Sequence, residues 1–287
     1  MATRAYSKDD FELLKVERSG GMSRIQQARL KETGEICALK FGRVESADDA
    51  ASASFAREVK ALTDMEHRHV VRLIGIGSDG MQRFLVLEWL EETLADYIQD
   101  IGPLQWSHFY ESIGRPILEA LQYAHRRQCV HRDLKPLNVM FNRRREAKIT
   151  DFGIARAMDD VRMGLTFAGV GSVPWTPGER DDGLHSERRD LYSWAAICVA
   201  CLSGRLNYKS VAELREAAEK LGGTAPPILR DCLADAPSAR PVNATSLLWT
   251  LDDFHAGRLD KAEGERAVGI ELSSQVTTVR LNDPSRA

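Results

Sequence analysis

The sequence predicts an α+β fold in two lobes, a small antiparallel β-sheet lobe with one helix and a larger, mainly α-helical lobe. Two patterns carry this. Up to about residue 90 the chain is a series of short strand-like runs broken by Gly turns and one helical stretch. Beyond that point, segment after segment places apolar residues at helical spacing. No internal repeat competes with the division.

In chain order, Phe11–Val16 and Arg24–Arg29 flank the turn Gly20-Gly21, and Glu35–Phe41 follows the turn Glu32-Thr33-Gly34. Ser46–Met65 reads as the helix: it is Ala-rich, sets Phe55, Val59 and Leu62 on one stripe, and has a cap at Ser46. Val70–Gly77 and Arg83–Trp89 form an antiparallel pair through Ser78-Asp79-Gly80. Helices follow at Leu94–Asp100, Trp106–Arg126, Arg188–Ser203, Val211–Leu221, Pro227–Leu233 and Asn243–Phe254. Two short strands, Asn138–Phe141 and Ala147–Thr150, bracket Arg143–Arg145. The expected organisation is an N-terminal extension at 1–10, one domain at 11–255 made of lobes 11–88 and 89–255, and a charged tail or linker at 256–287. The alternation of Val268–Leu281 leaves an edge strand or the start of a further domain as alternatives for that last segment.

Composition narrows the function classes. The 287 residues are 43% hydrophobic and 28% charged, ordinary for a globular protein. A formal charge of −3 argues against nucleic-acid or anionic-membrane partners, and Arg143–Arg145 reads as a solvated turn. No apolar stretch approaches the roughly 20 residues that cross a bilayer. The start, Met1-Ala2-Thr3-Arg4, has no signal-peptide core, and Ala2 stands where N-myristoylation needs a glycine. Five cysteines, an odd number, do not suggest a disulfide framework. Cys198 and Cys201, formally C-x-x-C, lie inside the apolar run Tyr192–Leu202 and read as buried core rather than a redox or metal pair. A reducing cytoplasm is the expected setting.

One segment carries most of the chemistry: His131-Arg132-Asp133-Leu134-Lys135-Pro136-Leu137-Asn138, followed by Asp151-Phe152-Gly153. It supplies a carboxylate able to accept a hydroxyl proton, an ammonium two residues on, and an amide and second carboxylate suited to a divalent cation. These are the parts of phosphoryl transfer, a reaction dominated by positioning and charge neutralisation. The ordered set resembles the catalytic loop and metal-binding triplet of protein kinases, and the resemblance covers roughly Phe11 to Phe254.

The resemblance implies roles. Asp133 would orient the substrate hydroxyl and take its proton, Lys135 would steady the transferring group as in Ser/Thr kinases, and Asn138 and Asp151 would hold Mg²⁺, with Mn²⁺ an acceptable substitute. Cys37-Ala38-Leu39-Lys40 matches the strand whose lysine contacts the ATP phosphates, with Glu58 as its partner on the following helix. Ile25 and Ala38 would enclose adenine, Leu87 would be the gatekeeper, and backbone groups of Glu88 and Leu90 would bond the base. His131, Phe152, Leu62 and Leu73 would form a stacked apolar column. Asp190 would hold the catalytic-loop backbone, and Glu179 would pair with Arg240.

The glycine-rich turn departs most from the pattern. Arg18-Ser19-Gly20-Gly21-Met22-Ser23 keeps the middle glycine at Gly20 and is similar to bacterial eukaryotic-like Ser/Thr kinases in having Ser23 at the third site, whereas Arg18 replaces the first glycine. The replacement predicts weaker ATP affinity, with Arg18 either stiffening the turn or adding charge near the triphosphate. Thr166 matches the activation-segment residue that many bacterial kinases autophosphorylate, with Arg132 as the expected partner of that phosphate. Ser172 replaces the threonine that bonds the catalytic Asp and Lys. The family's Ala-Pro-Glu is Pro177-Gly178-Glu179 here. Leu137 and Ala200 stand where arginine-selecting kinases place Glu, and Leu202–Leu221 is short for a substrate-docking region.

The expectation is an ATP- and Mg²⁺-dependent Ser/Thr protein kinase that phosphorylates protein substrates and itself, with a homodimer compatible with transfer in trans. The alternatives are a nucleotide-binding pseudokinase or scaffold, motivated by Arg18 and Pro177-Gly178-Glu179, and a small-molecule kinase of similar fold.

Overall fold

The computed structural model describes residues 4–19, 23–42, 49–80, 82–152, 174–178 and 187–257. Its first lobe is a six-stranded sheet of β1 (Arg4–Ser7), β2 (Phe11–Ser19), β3 (Ser23–Leu30), β4 (Ile36–Gly42), β5 (Leu73–Asp79) and β6 (Gln82–Glu88), in the order β1-β5-β6-β4-β3-β2. Period-two alternation assigns its two faces. Cys37, Leu39 and Phe41 of β4 pack with Phe84 and Val86 of β6, Phe11 and Tyr6 in one apolar cluster. Ala38, Leu85 and Leu87 belong to the main core on the other face. Lys40 shares that second face, and this alternation is what delivers its ammonium to the cleft rather than to solvent.

Residues 4–10, set apart in the sequence as an extension, add the edge strand β1. It pairs parallel with β5 in a sheet that is otherwise antiparallel. Gly75 permits the approach: a Cβ there would sit 2.5 Å from the Arg4 carbonyl oxygen and 2.5 Å from the Tyr6 ring. Between β4 and β5 lies helix α1 (Asp49–Thr63), whose Phe55, Val59 and Leu62 pack into the main core. The proposed cap Ser46 lies outside the described residues.

The second lobe begins with a short strand the sequence did not signal, β7 (Glu92–Thr93), which pairs with β8 (Val139–Phe141); β8 pairs with β9 (Ala147–Ile149). Thr93 caps α2 (Leu94–Ile101) in a reciprocal arrangement with Asp96. The single helix expected at Trp106–Arg126 is interrupted: α3 (Trp106–Phe109) passes through a π-helical segment, Tyr110–Gly114, into α4 (Arg115–His125). Pro116 supplies a physical reason. It lacks an N–H and its ring crowds the carbonyl one turn back, which falls in the widened segment. Trp194 Nε1 donates to the Gly114 carbonyl at 2.9 Å.

Helix α5 (Arg188–Ser203) is the lobe's axis, with every residue from Asp190 to Leu202 buried. Around it pack α6 (Val211–Leu221), α7 (Ile228–Cys232) and α8, residues 244–257. Cys198, Cys201 and Cys232 are buried here, and burial pushes each thiol up. No cluster of His, Cys, Asp or Glu suited to a metal occurs among the described residues, and none of their helices is long and apolar enough to cross a membrane.

Candidate active site

The cleft between the lobes gathers two clusters of charged side chains. The first spans both lobes. Lys40 Nζ, on β4, donates to Glu58 Oε1 of α1 at 2.6 Å and to Asp151 Oδ1 at 2.5 Å. Burial alone would lower the Lys40 ammonium, but the Asp151 and Glu58 carboxylates outweigh it and hold the group raised, so it stays cationic. Burial pushes Glu58 up, and Lys40 offsets only part of that. Burial also pushes Asp151 up, yet Lys40, with His131 and Lys135 behind it, leaves that carboxyl below its ordinary value. Asp151 follows Thr150, whose N–H donates to the Asn138 carbonyl at 2.9 Å, and this pairing sets the first cluster beside the second.

The second cluster sits on the loop between α4 and β8. Lys135 Nζ donates to Asp133 Oδ2 at 2.7 Å. Asn138 ends a 3-10 turn, Pro136–Asn138. Its Nδ2 donates to the Asp133 carbonyl at 2.7 Å and to Asp133 Oδ2 at 3.2 Å. With the amide nitrogen committed, Asn138 Oδ1 is the atom left to ligate a cation. Asp151 offers a second hard oxygen, since Lys40 is bonded to its Oδ1. These donors fit a small divalent cation that keeps other ligands from water or phosphate.

Buried Asp190 organises the loop. Its Oδ2 accepts the His131 N–H at 2.8 Å and its Oδ1 accepts the Arg132 N–H at 2.8 Å. His125 Nε2 lies 2.8 Å from Oδ2. Burial pushes the Asp190 carboxyl up, but the His125 hydrogen bond and charge, with His131, bring it below its ordinary value. Two residues here hold left-handed backbone, Arg132 at φ 68° and Asp151 at φ 62°. Such conformations cost about 1–3 kcal/mol in a non-glycine residue and persist where surroundings enforce them. For Arg132, the bond to Asp190 is such an enforcement.

Of the expected apolar column, Leu62 and Phe152 lie in the main core and Leu73 packs against it. His131 and Phe152 meet edge to face at 4.7 Å. His131 Nε2 lies 2.8 Å from the Thr150 carbonyl. Ala38 pairs with Leu87 across β4 and β6, and Ile25 pairs with Lys40 across β3 and β4. From Glu88, the last residue of β6, the linker runs on through Trp89 and buried Leu90.

Other assignments are only partly visible. Gly20, Gly21, Thr166, Ser172 and Glu179 lie outside the described residues, and Ser23 begins β3. Arg240, expected to pair with Glu179, is buried; its Nε donates to the Ala234 carbonyl at 2.9 Å, and its guanidinium lies 5.2 Å from the Tyr192 ring centre. Leu137 projects into solvent, 58% exposed, and Ala200 is buried in α5.

Sequence reading missed three contributors. His125 completes the Asp190 hub. Lys148 Nζ donates to Glu88 Oε1 at 2.8 Å and pins the end of β6 to β9. Gln26 Nε2 donates to the Leu14 carbonyl at 2.5 Å and the Val16 carbonyl at 3.1 Å, filling an irregularity in β2. Each partner lies ten or more residues away, so no local pattern announces it.

Residues 16–248 match the protein kinase domain. The chain belongs to that family. Among curated proteins it is similar to the serine/threonine-protein kinase PrkC of Bacillus subtilis, 29% identical over 95% of this chain and 41% of the relative. A probable serine/threonine-protein kinase, PknB, of Lactococcus lactis is 31% identical over 70% of this chain and 32% of its own length. A probable serine/threonine-protein kinase of Clostridium perfringens is 28% identical over 81% and 36%. The chain thus matches less than half the length of each of these relatives.

Proposed function

We propose that this chain is an ATP-dependent serine/threonine protein kinase. The observations that carry the reading are the Lys40–Glu58–Asp151 ion triad and the Asp133–Lys135–Asn138 cluster, joined where Thr150, the neighbour of Asp151, donates its N–H to the Asn138 carbonyl at 2.9 Å. In this reading Asp133, held by Lys135 and Asn138, accepts the proton of a substrate Ser or Thr hydroxyl as its oxygen attacks phosphorus. Lys135 offsets negative charge gathering on that side, and Lys40, kept cationic by two carboxylates, binds phosphate oxygens of ATP. Asn138 and Asp151 would hold Mg²⁺ or Mn²⁺, which supplies charge neutralisation between phosphates. Ile25, Ala38 and Leu87 would enclose the base, with backbone groups of Glu88 and Leu90 bonding it and Gly20, Gly21 and Ser23 covering the phosphates. Autophosphorylation at Thr166, read by Arg132, would order the activation segment, with Ser172 reaching the Asp133–Lys135 pair and Glu179 bracing against Arg240. Protein substrates, transfer in trans within a homodimer and a reducing cytoplasmic setting complete the proposal.

The test offers radiolabelled ATP and Mg²⁺ with Ser/Thr peptides, tyrosine peptides, sugars and aminoglycosides. Transfer to Ser/Thr peptides alone supports the reading. Transfer only to small molecules would replace it with a small-molecule kinase, and nucleotide binding without transfer to any acceptor would replace it with a pseudokinase.

A further inference from the structure

Arg18, which replaces the first glycine of the turn, is the penultimate residue of β2 and pairs with Ile25. Its guanidinium leaves the sheet for the interlobe linker. Nη2 donates to the Glu91 carbonyl at 2.5 Å, and Cζ lies 5.2 Å from the centre of the Trp89 ring. The Trp89 ring packs against the main core, and its Nε1 donates to Glu91 Oε2 at 3.2 Å. Glu91 is in turn fixed to the helical lobe, because its N–H donates to the Phe141 carbonyl of β8 at 2.8 Å. A continuous path therefore runs from β2 through Arg18, Trp89 and Glu91 to β8. Strand β2 is an edge strand, bonded in the sheet to β3 alone. The irregularity between Leu13 and Glu17, filled by Gln26, sets the register at which Arg18 emerges.

We propose that Arg18 is a positioning residue, a strap from β2 to the interlobe linker that slows both entry and exit of nucleotide. The proposal rests on the kinase reading above. Its chemistry needs a guanidinium: one edge donates to a carbonyl while the planar face lies on an aromatic ring, and lysine can do the first but not the second. Both contacts lie near the surface, so the strap can break in each exchange cycle. Together they correspond to roughly a five- to fiftyfold bias toward the closed strap. Because opening precedes both entry and exit, the strap acts on the two rates together more than on their ratio.

The experiment is stopped-flow binding and chase of mant-ADP with Mg²⁺, using the full chain. Arg18→Ala is expected to raise association and dissociation rates about fivefold or more, with their ratio changing less than either. Arg18→Lys should fall between Arg18→Ala and the unaltered chain. Trp89→Leu should give part of the effect, and the double variant should exchange no faster than Arg18→Ala, as expected for one shared contact. Equal rates for the unaltered chain and Arg18→Ala would overturn the strap while leaving the nucleotide site standing. A folded, unaltered chain that binds no mant-ADP would overturn the nucleotide reading and the strap with it.

Discussion

The two sides of the cleft are built on different principles. The Asp133 side is fixed by buried hydrogen bonds to backbone: Asp190 takes the N–H groups of His131 and Arg132, and Asn138 holds the Asp133 carbonyl. The Lys40 side is fixed by charge between separate elements, with one ammonium shared by a carboxylate on α1 and another following β9. Backbone hydrogen bonds set a geometry once, at folding. An ion triad between elements can be remade, and Lys40 can exchange a carboxylate for a phosphate oxygen at little net cost. The difference teaches where rigidity and adjustability sit: the proposed proton acceptor is preorganised, and the phosphate grip is adjustable.

That contrast is most readily broken at Asp190. Asp190→Ala removes the acceptor for two buried N–H groups and the partner of His125, and releases the constraint on Arg132. It should cost about 3–5 kcal/mol in urea unfolding, because several buried polar groups lose their partner at once. A loss below about 1 kcal/mol would show that the loop is held elsewhere. On the adjustable side, Glu58→Gln should separate stability from turnover. Gln keeps an acceptor for Lys40 and leaves the ammonium its Asp151 partner, so unfolding free energy should move by only about 1 kcal/mol, while phosphotransfer falls roughly 10- to 100-fold. A large stability loss without loss of transfer would reverse the assignment of the two sides.

The smallest effect lies at the seam between the lobes. His69 Nδ1 bonds the Ala147 carbonyl of β9 at 2.9 Å, and the His69 carbonyl accepts the Ile149 N–H at 2.9 Å. Burial, chiefly, lowers the folded pKa of His69 below its ordinary value of 6.5. The unfolded chain therefore binds a proton first as pH falls below 6.5, and the stability of the neutral form is lost from there down toward the folded value. Melting temperature should drop over that range, and His69→Asn should flatten part of the drop. An unchanged slope in the variant would remove His69 from the account.

Legibility in the sequence followed the reach of each interaction. The grouping of Asp133 with Lys135 and Asn138, and of Lys40 with Asp151, was readable because the motif proposed for phosphoryl transfer restricts both residue type and spacing. Helix α5 was readable because its burial leaves an unbroken apolar run from Trp194 to Leu202. Strand β1 was not, since its pairing with β5 lies some seventy residues away along the chain and depends on the absent Cβ of Gly75. The π-helical segment ahead of Pro116 was likewise hidden, because periodicity does not register one widened turn. Arg18 was legible as a departure, but the destination of its guanidinium on Trp89 and Glu91 was not.

The central claim is that Asp133 serves a working transfer site. It is tested most directly by incubating phosphatase-treated chain with ATP and Mg²⁺ beside Asp133→Asn, and mapping phosphate by intact and peptide mass spectrometry. The account predicts time-dependent phosphate on Thr166 or its neighbours in the unaltered chain and none in the variant. Equal phosphate in both, or none in either while nucleotide binding persists, would contradict it.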